Sequence, residues 1–411
     1  MKTRTMIRLD LMVGLPLCAL GFLFSLPLRP FRRSHPRPVR RILVVKFLGL
    51  GSVLLATPLL RRLREAYPGA HITFLTFRSN AEMVRRLDCV DEVVAVSRSS
   101  AIRLLASVPR LVMQLRRARF DLALDLEFYS RLSNLVSWAS GATRRVGFFV
   151  RARWRGSLLT DPVYFNSRLP YGRAVLALLQ PLGLADADAE RLVAPEVRAE
   201  EQTAAHARLE ELGVPREGTV VVVNVNASDL CEERRWPGHR YARLVERFNG
   251  EIAPVDRFVF IGTAGEATAV RRVLDEVAPD ARPACLDLSG KTTLVELMVL
   301  LKRAAMVVTN DSGPLHVAAA LGVPTVSLYG PETPALYGPV GENHLVFYAS
   351  HWCSPCLSVY NAKIAMCHGE NECMRRIRLE EVVQRTAVFA RERVGLAPPR
   401  PAGRSDRSPR R

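Results

Sequence analysis

Beyond residue 40 the chain alternates short apolar runs with longer stretches of helical period. Ile42, Leu43, Val44 and Val45 form an unbroken apolar run, which predicts a strand buried on both faces. Residues 52–66 are amphipathic with helical spacing, interrupted only by Pro58. His71 to Thr76, Val93 to Val96 and Leu122 to Leu126 read as further strands, with helical stretches near 79–87, 101–117 and 130–140. Residues 181–200, rich in Ala, Asp and Pro, approach a linker, and the rhythm then restarts. Strands are expected at Thr219 to Asn224, Arg257 to Gly262, 306–309 and 324–329. Helices are expected after Trp236-Pro237 and near 266–277, 293–303 and 314–321, with a closing helix from Glu380 to Val394. Strand and helix in alternation give parallel, doubly wound sheets, here two α/β halves with a cleft between them.

The stretch Leu9 to Leu28 breaks this rhythm. It is apolar enough for a membrane segment but barely long enough to span, and Asp10 and Pro16 interrupt it. Arg29, Arg32, Arg33, Arg37, Arg40 and Arg41 follow, a distribution that favours retention on the cytoplasmic side. A retained hydrophobic anchor is therefore expected, rather than a cleaved signal peptide or a segment docked on the protein itself. Charge supports the same picture. Of the formal net charge of +18, the two ends of the chain supply most, the tail from Gly395 being rich in Pro and Arg and reading as disordered. Basic ends suit an anionic membrane surface. No basic-aromatic module or recognition motif points to nucleic acid. With 48% apolar and 24% charged residues over 411 positions, the rest of the chain is globular and long enough for two cores.

Four loops fall beyond the carboxyl ends of strands, where such sheets bind ligands. Lys46 to Ser52 carries Gly49 and Gly51, which allow close backbone approach. Asn224 to Pro237 carries Asn226, Ser228, Arg234 and Arg235, types that suit phosphate oxygens. Gly262-Thr263-Ala264-Gly265-Glu266 places a carboxylate where it can accept from ribose hydroxyls. Thr309 to Pro324 is the most specific. Asp311 and Ser312 suit an N-cap, Gly313 and Pro314 the first turn, and Ala318, Ala319 and Ala320 let the helix sit close to a sheet. A helix beginning there offers free N–H groups to a diphosphate, with His316 one turn in.

The stretch from Asn310 through Asp311-Ser312-Gly313-Pro314-Leu315-His316 to Pro324, with Leu328-Tyr329-Gly330-Pro331, closely resembles the nucleotide-sugar signature of glycosyltransferase family 9. Ile42 through Lys46 and Gly51 to Thr57-Pro58 resembles the start of the same family. The resemblance covers about residues 41–394. It implies a GT-B fold, two Rossmann-like domains facing a central cleft, here preceded by the hydrophobic membrane segment. The expected division is 1–40 for the membrane-associating segment, 41–195 for the acceptor domain, 196–394 for the nucleotide-sugar domain and 395–411 for the basic tail. It implies an inverting transferase moving heptose or a related sugar from a nucleotide diphosphate sugar, such as ADP-heptose. The acceptor would be a lipopolysaccharide core or other lipid-linked glycan, at the cytoplasmic face of the inner membrane, with no cofactor required. Carried over by position, Asp311, Ser312, Gly313 and His316 hold the donor diphosphate and adjoining sugar. Arg234, with Asn226 and Ser228 in the same loop, serves the phosphates, and Glu266 serves the ribose. Lys46, Gly49 and Gly51 form the acceptor-side loop.

One position departs from the family. Lipopolysaccharide heptosyltransferases have an Asp after the loop glycine, the proposed catalytic base, where this chain has Ser52. A serine hydroxyl has no useful pKa for taking a proton. Asp125 and Glu127 end the fourth strand and face the same cleft, and Glu127 is the expected base, with Ser52 and His316 beside the reaction. Two alternatives stay open: positioning and leaving-group stabilisation dominate with the proton lost to water, or the chain is a non-catalytic nucleotide-sugar-binding relative with a regulatory or scaffold role. Cys353, Cys356, Cys367 and Cys373 have spacing open to a structural zinc or iron–sulfur knot, with His351 and His368 as further ligands, or to reduced thiols.

Overall fold

The computed structural model describes residues 10–25, 38–98, 100–150, 155–184, 188, 191–227, 231–358, 363–365, 367 and 369–398. Two six-stranded parallel sheets organise it. The first holds β1 (Arg41–Val45), β2 (His71–Phe77), β3 (Glu92–Val96), β4 (Leu122–Asp125), β5 (Arg144–Phe149) and β6 (Asp161–Tyr164). Its order is β3-β2-β1-β4-β5-β6. The second holds β7 (Val220–Asn224), β8 (Arg257–Phe260), β9 (Cys285–Asp287), β10 (Met306–Asn310), β11 (Thr325–Tyr329) and β12 (His344–Tyr348). Its order is β12-β11-β10-β7-β8-β9. In each half the first strand sits at the centre and the order reverses beside it, between β1 and β4 and between β7 and β10. Ligands of open α/β sheets collect beyond the strand ends at such reversals. Register places Val45 beside Asp125 and Asn224 beside Thr309, so all four loops that leave these strands start at the reversals.

The two α/β halves agree with the hydrophobic pattern, and β5, β6, β9 and β12 are additions to it. β5 opens with Arg144-Arg145 and contains Gly147, and β6 contains Pro162, so neither reads as an apolar run. Arg145 is tolerated within the sheet because its guanidinium donates to the carbonyls of Leu158 (2.9 Å) and Ala142 (2.6 Å). The expected helix at 52–66 is two helices, Leu50–Leu55 and Thr57–Ala66. Pro58 has no N–H to give the Leu54 carbonyl, and the Thr57 hydroxyl donates to it instead at 2.6 Å.

The halves are joined by apolar and aromatic contact. Leu54 and Met83 of the first half share a buried cluster with Val220, Leu301 and Val317 of the second. Tyr171 stacks on Tyr337 with centroids 5.4 Å apart. Arg86 grips both oxygens of Glu201 at 2.9 and 3.1 Å.

The membrane segment expected at the N-terminus is corrected by the structure. Among the described residues no helix is long and apolar enough to cross a membrane. The apolar stretch forms only an 11-residue helix, Leu15–Ser25, entered through a single wide turn at Asp10–Gly14. It lies against the Arg131–Ala139 helix. The buried stripe is Asp10, Gly14, Cys18 and Gly21, spaced four, four and three residues apart. A side chain at Gly14 would meet Arg131 at 3.0 Å and one at Gly21 would meet Leu158 at 3.3 Å, so small residues set this close approach. Asp10 caps its neighbour. Its Oδ1 accepts from the backbone N–H groups of Arg131 (2.7 Å) and Leu132 (2.9 Å), and its Oδ2 lies 3.3 Å from the Arg131 guanidinium. A carboxylate at a helix N-terminus is stabilised by the free N–H groups and the helix dipole. The Arg-rich run at 29–37 and the tail at 399–411 lie outside the described residues.

This cap is testable. Asp10→Ala leaves two buried N–H groups unpaired and is expected to cost about 1–3 kcal/mol of docking free energy. Hydrogen exchange should then accelerate in residues 15–25 and 131–139 together. Unchanged protection in both segments would show that Asp10 does not hold the helix in place.

Candidate functional site

The acceptor-side loop is built on a buried ion pair. Lys46 and Glu127 leave the ends of neighbouring strands β1 and β4, 2% and 0% exposed, with Nζ 3.2 Å from Oε2. Oε1 of the same carboxylate accepts from the backbone N–H groups of Phe47 (2.8 Å) and Leu48 (3.0 Å). Lys46 also sits over the rings of Phe128 (5.6 Å) and Tyr171 (5.8 Å). Asp125 is spent elsewhere: its Oδ2 pairs with the fully buried Arg155 at 2.5 Å and accepts from the Ser133 hydroxyl, while Oδ1 accepts from the Glu127 N–H. Asp125 thus shapes the turn that presents Glu127. The Ser52 hydroxyl donates to the carbonyls of Leu48 (3.0 Å) and Gly49 (2.9 Å) and closes the loop. Gly49 needs its freedom, with φ of 85° and Ser52 Oγ only 2.4 Å from where a Cβ would stand.

The donor side is stapled by two asparagines. Asn310 Oδ1 accepts from the Trp236 N–H and the Tyr241 hydroxyl, and its amide donates to the carbonyls of Val225 and Asn226. The end of β10 therefore fixes the loop after β7. Asn224 donates to the hydroxyls of Thr309 (3.1 Å) and Ser312 (2.9 Å). Ser312 is N-cap of the Gly313–Ala320 helix, but its hydroxyl makes no cap bond. Arg234 reaches Asp311 Oδ2 at 3.0 Å, and both are nearly buried. Burial opposes the Arg234 charge, but Asp311 holds it above the ordinary range. Asp311 thus fixes the direction of the Arg234 guanidinium. Asn226 is buried with neither amide atom hydrogen-bonded, beside Gly262, an orphan pair turned into the recess wall. Glu266 Oε2 accepts from the Thr263 N–H and hydroxyl, both at 2.8 Å, in a capping turn on the same wall. Ser228 lies outside the described residues.

Two recesses meet at this junction. One of about 850 Å³ runs between the halves past Asn226, Gly262, Glu266 and Thr293. The other, about 230 Å³, is walled by Lys46, Ser52, Arg234, His316, Glu332 and Lys363. They share Leu48, Gly49, Leu50, Tyr129, Ser312 and Gly313. The Leu50–Leu55 and Gly313–Ala320 helices start face to face there, and a Cβ on Gly51 would lie 2.2 Å from the His316 ring. His316 is buried with Nδ1 unbonded, and burial, helped by the Arg234 charge against Asp311, pushes its pKa down to about 4. It is a neutral imidazole at physiological pH.

Glu332 and Lys363 are members of this site that the sequence reading missed. They form a buried ion pair, and Lys363 lies 3.8 Å from the centre of the Tyr337 ring. Burial pushes the Glu332 carboxyl up and the Lys363 ammonium down, each opposing the other's shift. Glu332 follows β11, a strand end like the others, and was open to the same rule. Lys363 comes from the cysteine-rich loop, where no strand announces it. In that loop, burial and then the neighbouring Cys356 push the Cys373 thiol up to about 12. Among the described residues no three His, Cys, Asp or Glu side chains converge so as to hold a metal ion, and His368 lies outside them.

Two outcomes follow. Gly51→Ala forces a methyl into the His316 ring and should cost about 1–3 kcal/mol where the halves meet. Nucleotide affinity by calorimetry and the thermal midpoint should both fall; unchanged values of both would mean that the helices do not meet at this distance. His316 has a depressed folded-state pKa, so the unfolded chain binds the extra proton first. Stability is therefore lost as pH falls from the ordinary histidine value toward about 4, by up to about 1.4 kcal/mol per pH unit. Urea midpoints across that window should slope less in His316→Asn, and parallel slopes would show that the ring is protonated normally.

The sequence pattern of "Glycosyltransferase family 9 (heptosyltransferase)" matches residues 108–364, more than half of the chain. Lipopolysaccharide heptosyltransferase 2 of Escherichia coli K12 is 26% identical over 313 residues, covering 74% of this chain and 86% of that protein. A family 9 glycosyltransferase structure from Veillonella parvula superposes with a TM-score of 0.69 at 24% identity, over 85% of this chain and 97% of that one. The E. coli ADP-heptose lps heptosyltransferase II structure gives 0.66 at 23% identity, over 85% and 98%. The paired sheets, with their reversals turned toward one cleft, are the fold those structures share, and by its sequence the chain belongs to glycosyltransferase family 9, the heptosyltransferase-type sugar transferases.

Proposed function

We propose that this chain transfers heptose or a related sugar, with inversion, from a nucleotide diphosphate sugar such as ADP-heptose to a lipid-linked acceptor of the lipopolysaccharide core type. The observation that carries this reading is the pair of recesses joined across Ser312 and Gly313. The larger suits a nucleoside, with Glu266 and the unbonded Asn226 amide in its wall. The diphosphate crosses at the start of the Gly313–Ala320 helix, whose N–H groups and dipole favour negative charge. The smaller recess receives the sugar.

In the step itself the acceptor hydroxyl oxygen bonds to the anomeric carbon as the bond to the diphosphate oxygen breaks. Negative charge grows on the leaving group, where Arg234 and the helix N-terminus stabilise it without rearrangement. Neutral His316 donates or accepts a hydrogen bond there without carrying charge. The acceptor proton passes to Glu127. Oε1 is occupied by the loop, and Oε2 faces Lys46. Lys46 lines the sugar recess, so a shift of its ammonium toward the substrate frees Oε2. The step is drawn on these side chains alone, and any metal at Cys353, Cys356, Cys367 and Cys373 stands apart from it. An anionic membrane surface at the cytoplasmic face is the proposed setting. The Ala101–Ala118 helix supports it, with Arg103, Arg110, Arg116 and Arg117 exposed and no acid.

Glu127→Gln keeps the loop hydrogen bonds and removes the base. Transfer from ADP-heptose to a membrane-extracted acceptor should fall by about 10²–10⁴ in kcat, with nucleotide affinity retained. Normal turnover in Glu127→Gln would remove Glu127 as base. Nucleotide binding without transfer in the unaltered chain would favour the non-catalytic relative instead.

A further inference from the structure

An apolar cavity of about 610 Å³ lies on the first half, outside the two recesses. Its walls are the Leu15–Ser25, Ala101–Ala118 and Arg131–Ala139 helices, through Leu17, Leu20, Val108, Val112, Leu132 and Leu135. Its outer mouth is open, for Leu17, Leu20 and Val108 are 44%, 50% and 38% exposed. Its inner end is Phe47, Leu48, Glu127 and Tyr129. Phe47, Leu48 and Tyr129 also wall the nucleotide recess, and Leu48 and Tyr129 the sugar recess. The cavity thus runs from the protein surface to the back of the Lys46–Glu127 pair.

We propose that this cavity holds a hydrocarbon chain of the acceptor lipid while its glycan lies in the sugar recess. The proposal rests on the reading of a lipid-linked acceptor and adds where the lipid goes. Water gains nothing by filling a slot with almost no polar partners, whereas a methylene chain gains about 0.8 kcal/mol per buried CH₂. Continuity with the reaction site selects the occupant. A chain whose tail end lies at the mouth by Leu20 and Val108 and whose head end lies beside Leu48 places the polar head it carries at the loop that presents Lys46. The Ala101–Ala118 helix, which walls the slot, carries four exposed arginines that suit anionic headgroups of a surrounding membrane. The short N-terminal helix has a defined task in this arrangement. It forms one wall of the slot, with Met12, Leu15 and Leu23 exposed outside it.

The test is photolabelling of the full chain with a diazirine-bearing palmitate, read by peptide mass spectrometry, beside calorimetry of ADP. Labels are expected within residues 104–112 and 132–139. Val112→Trp fills the slot and Leu17→Trp narrows its exposed mouth; each should reduce that labelling by about tenfold while ADP affinity stays the same. Two variants guard against misfolding, since Leu17 is half exposed. Labelling confined to Met12, Leu15 and Leu23, or undiminished in both variants, would overturn the slot and leave only a surface patch. Failure of ADP to bind the unaltered chain would instead strike the transferase reading, and labelling of the slot there would still stand as lipid binding.

Discussion

The Lys46–Glu127 pair is the constraint on which the acceptor half depends. Two full charges are removed from water at the reversal of the first sheet, and either one alone would be intolerable there. Breaking such a pair by losing one partner costs about 3–5 kcal/mol. The pair is secured from behind by a second buried pair, Asp125 with Arg155, whose carboxylate also receives the Glu127 N–H. From the front, Glu127 takes two N–H groups of the 47–48 backbone. One side chain therefore fixes the loop, holds the cation and lines the inner end of the apolar cavity. The fold places β1 beside β4 for reasons of core packing, and the chemistry is installed at their ends.

The second half solves a different problem. A nucleotide diphosphate sugar, the ligand proposed for it, is anionic and must meet cations and N–H groups without collapsing the site when it leaves. Arg234 is kept extended by Asp311, and the loop after β7 is kept in place by Asn310 rather than by the ligand. The asparagine network is neutral, so it adds no field of its own to the phosphates. Both side-chain amide atoms of Asn226 remain unsatisfied within this cradle, which is the usual mark of a group that a ligand completes.

Much of the architecture was legible because both central strands of each sheet are continuous apolar runs, a pattern that follows from burial on two faces. Strands β5 and β6 were not, because they contain arginines, a glycine and a proline in place of an apolar run. Strand ends pointed correctly to the loops, but not to which side chains pair across them. Nothing in the spacing of Asp311 and Arg234 says that one restrains the other, since the bond spans 77 residues of chain. The N-terminal stretch misled for a physical reason. Apolar composition is the same whether a helix faces lipid or protein, and only the stripe of Asp10, Gly14, Cys18 and Gly21 distinguishes the two. That stripe is a packing signal, and it also explains why an acid sits at the head of an apolar segment.

Ser52 becomes intelligible beside the pair. A carboxylate at that position would place a second negative group near Tyr171, which already lies close to Glu127. Lys46 is one cation, and a desolvated loop holding two carboxylates against it would force one of them to take up a proton. A hydroxyl avoids that conflict and instead ties the loop to itself through Leu48 and Gly49. The carboxylate that faces Lys46 is then Glu127, beyond the end of β4, rather than a residue of the Leu50–Leu55 helix.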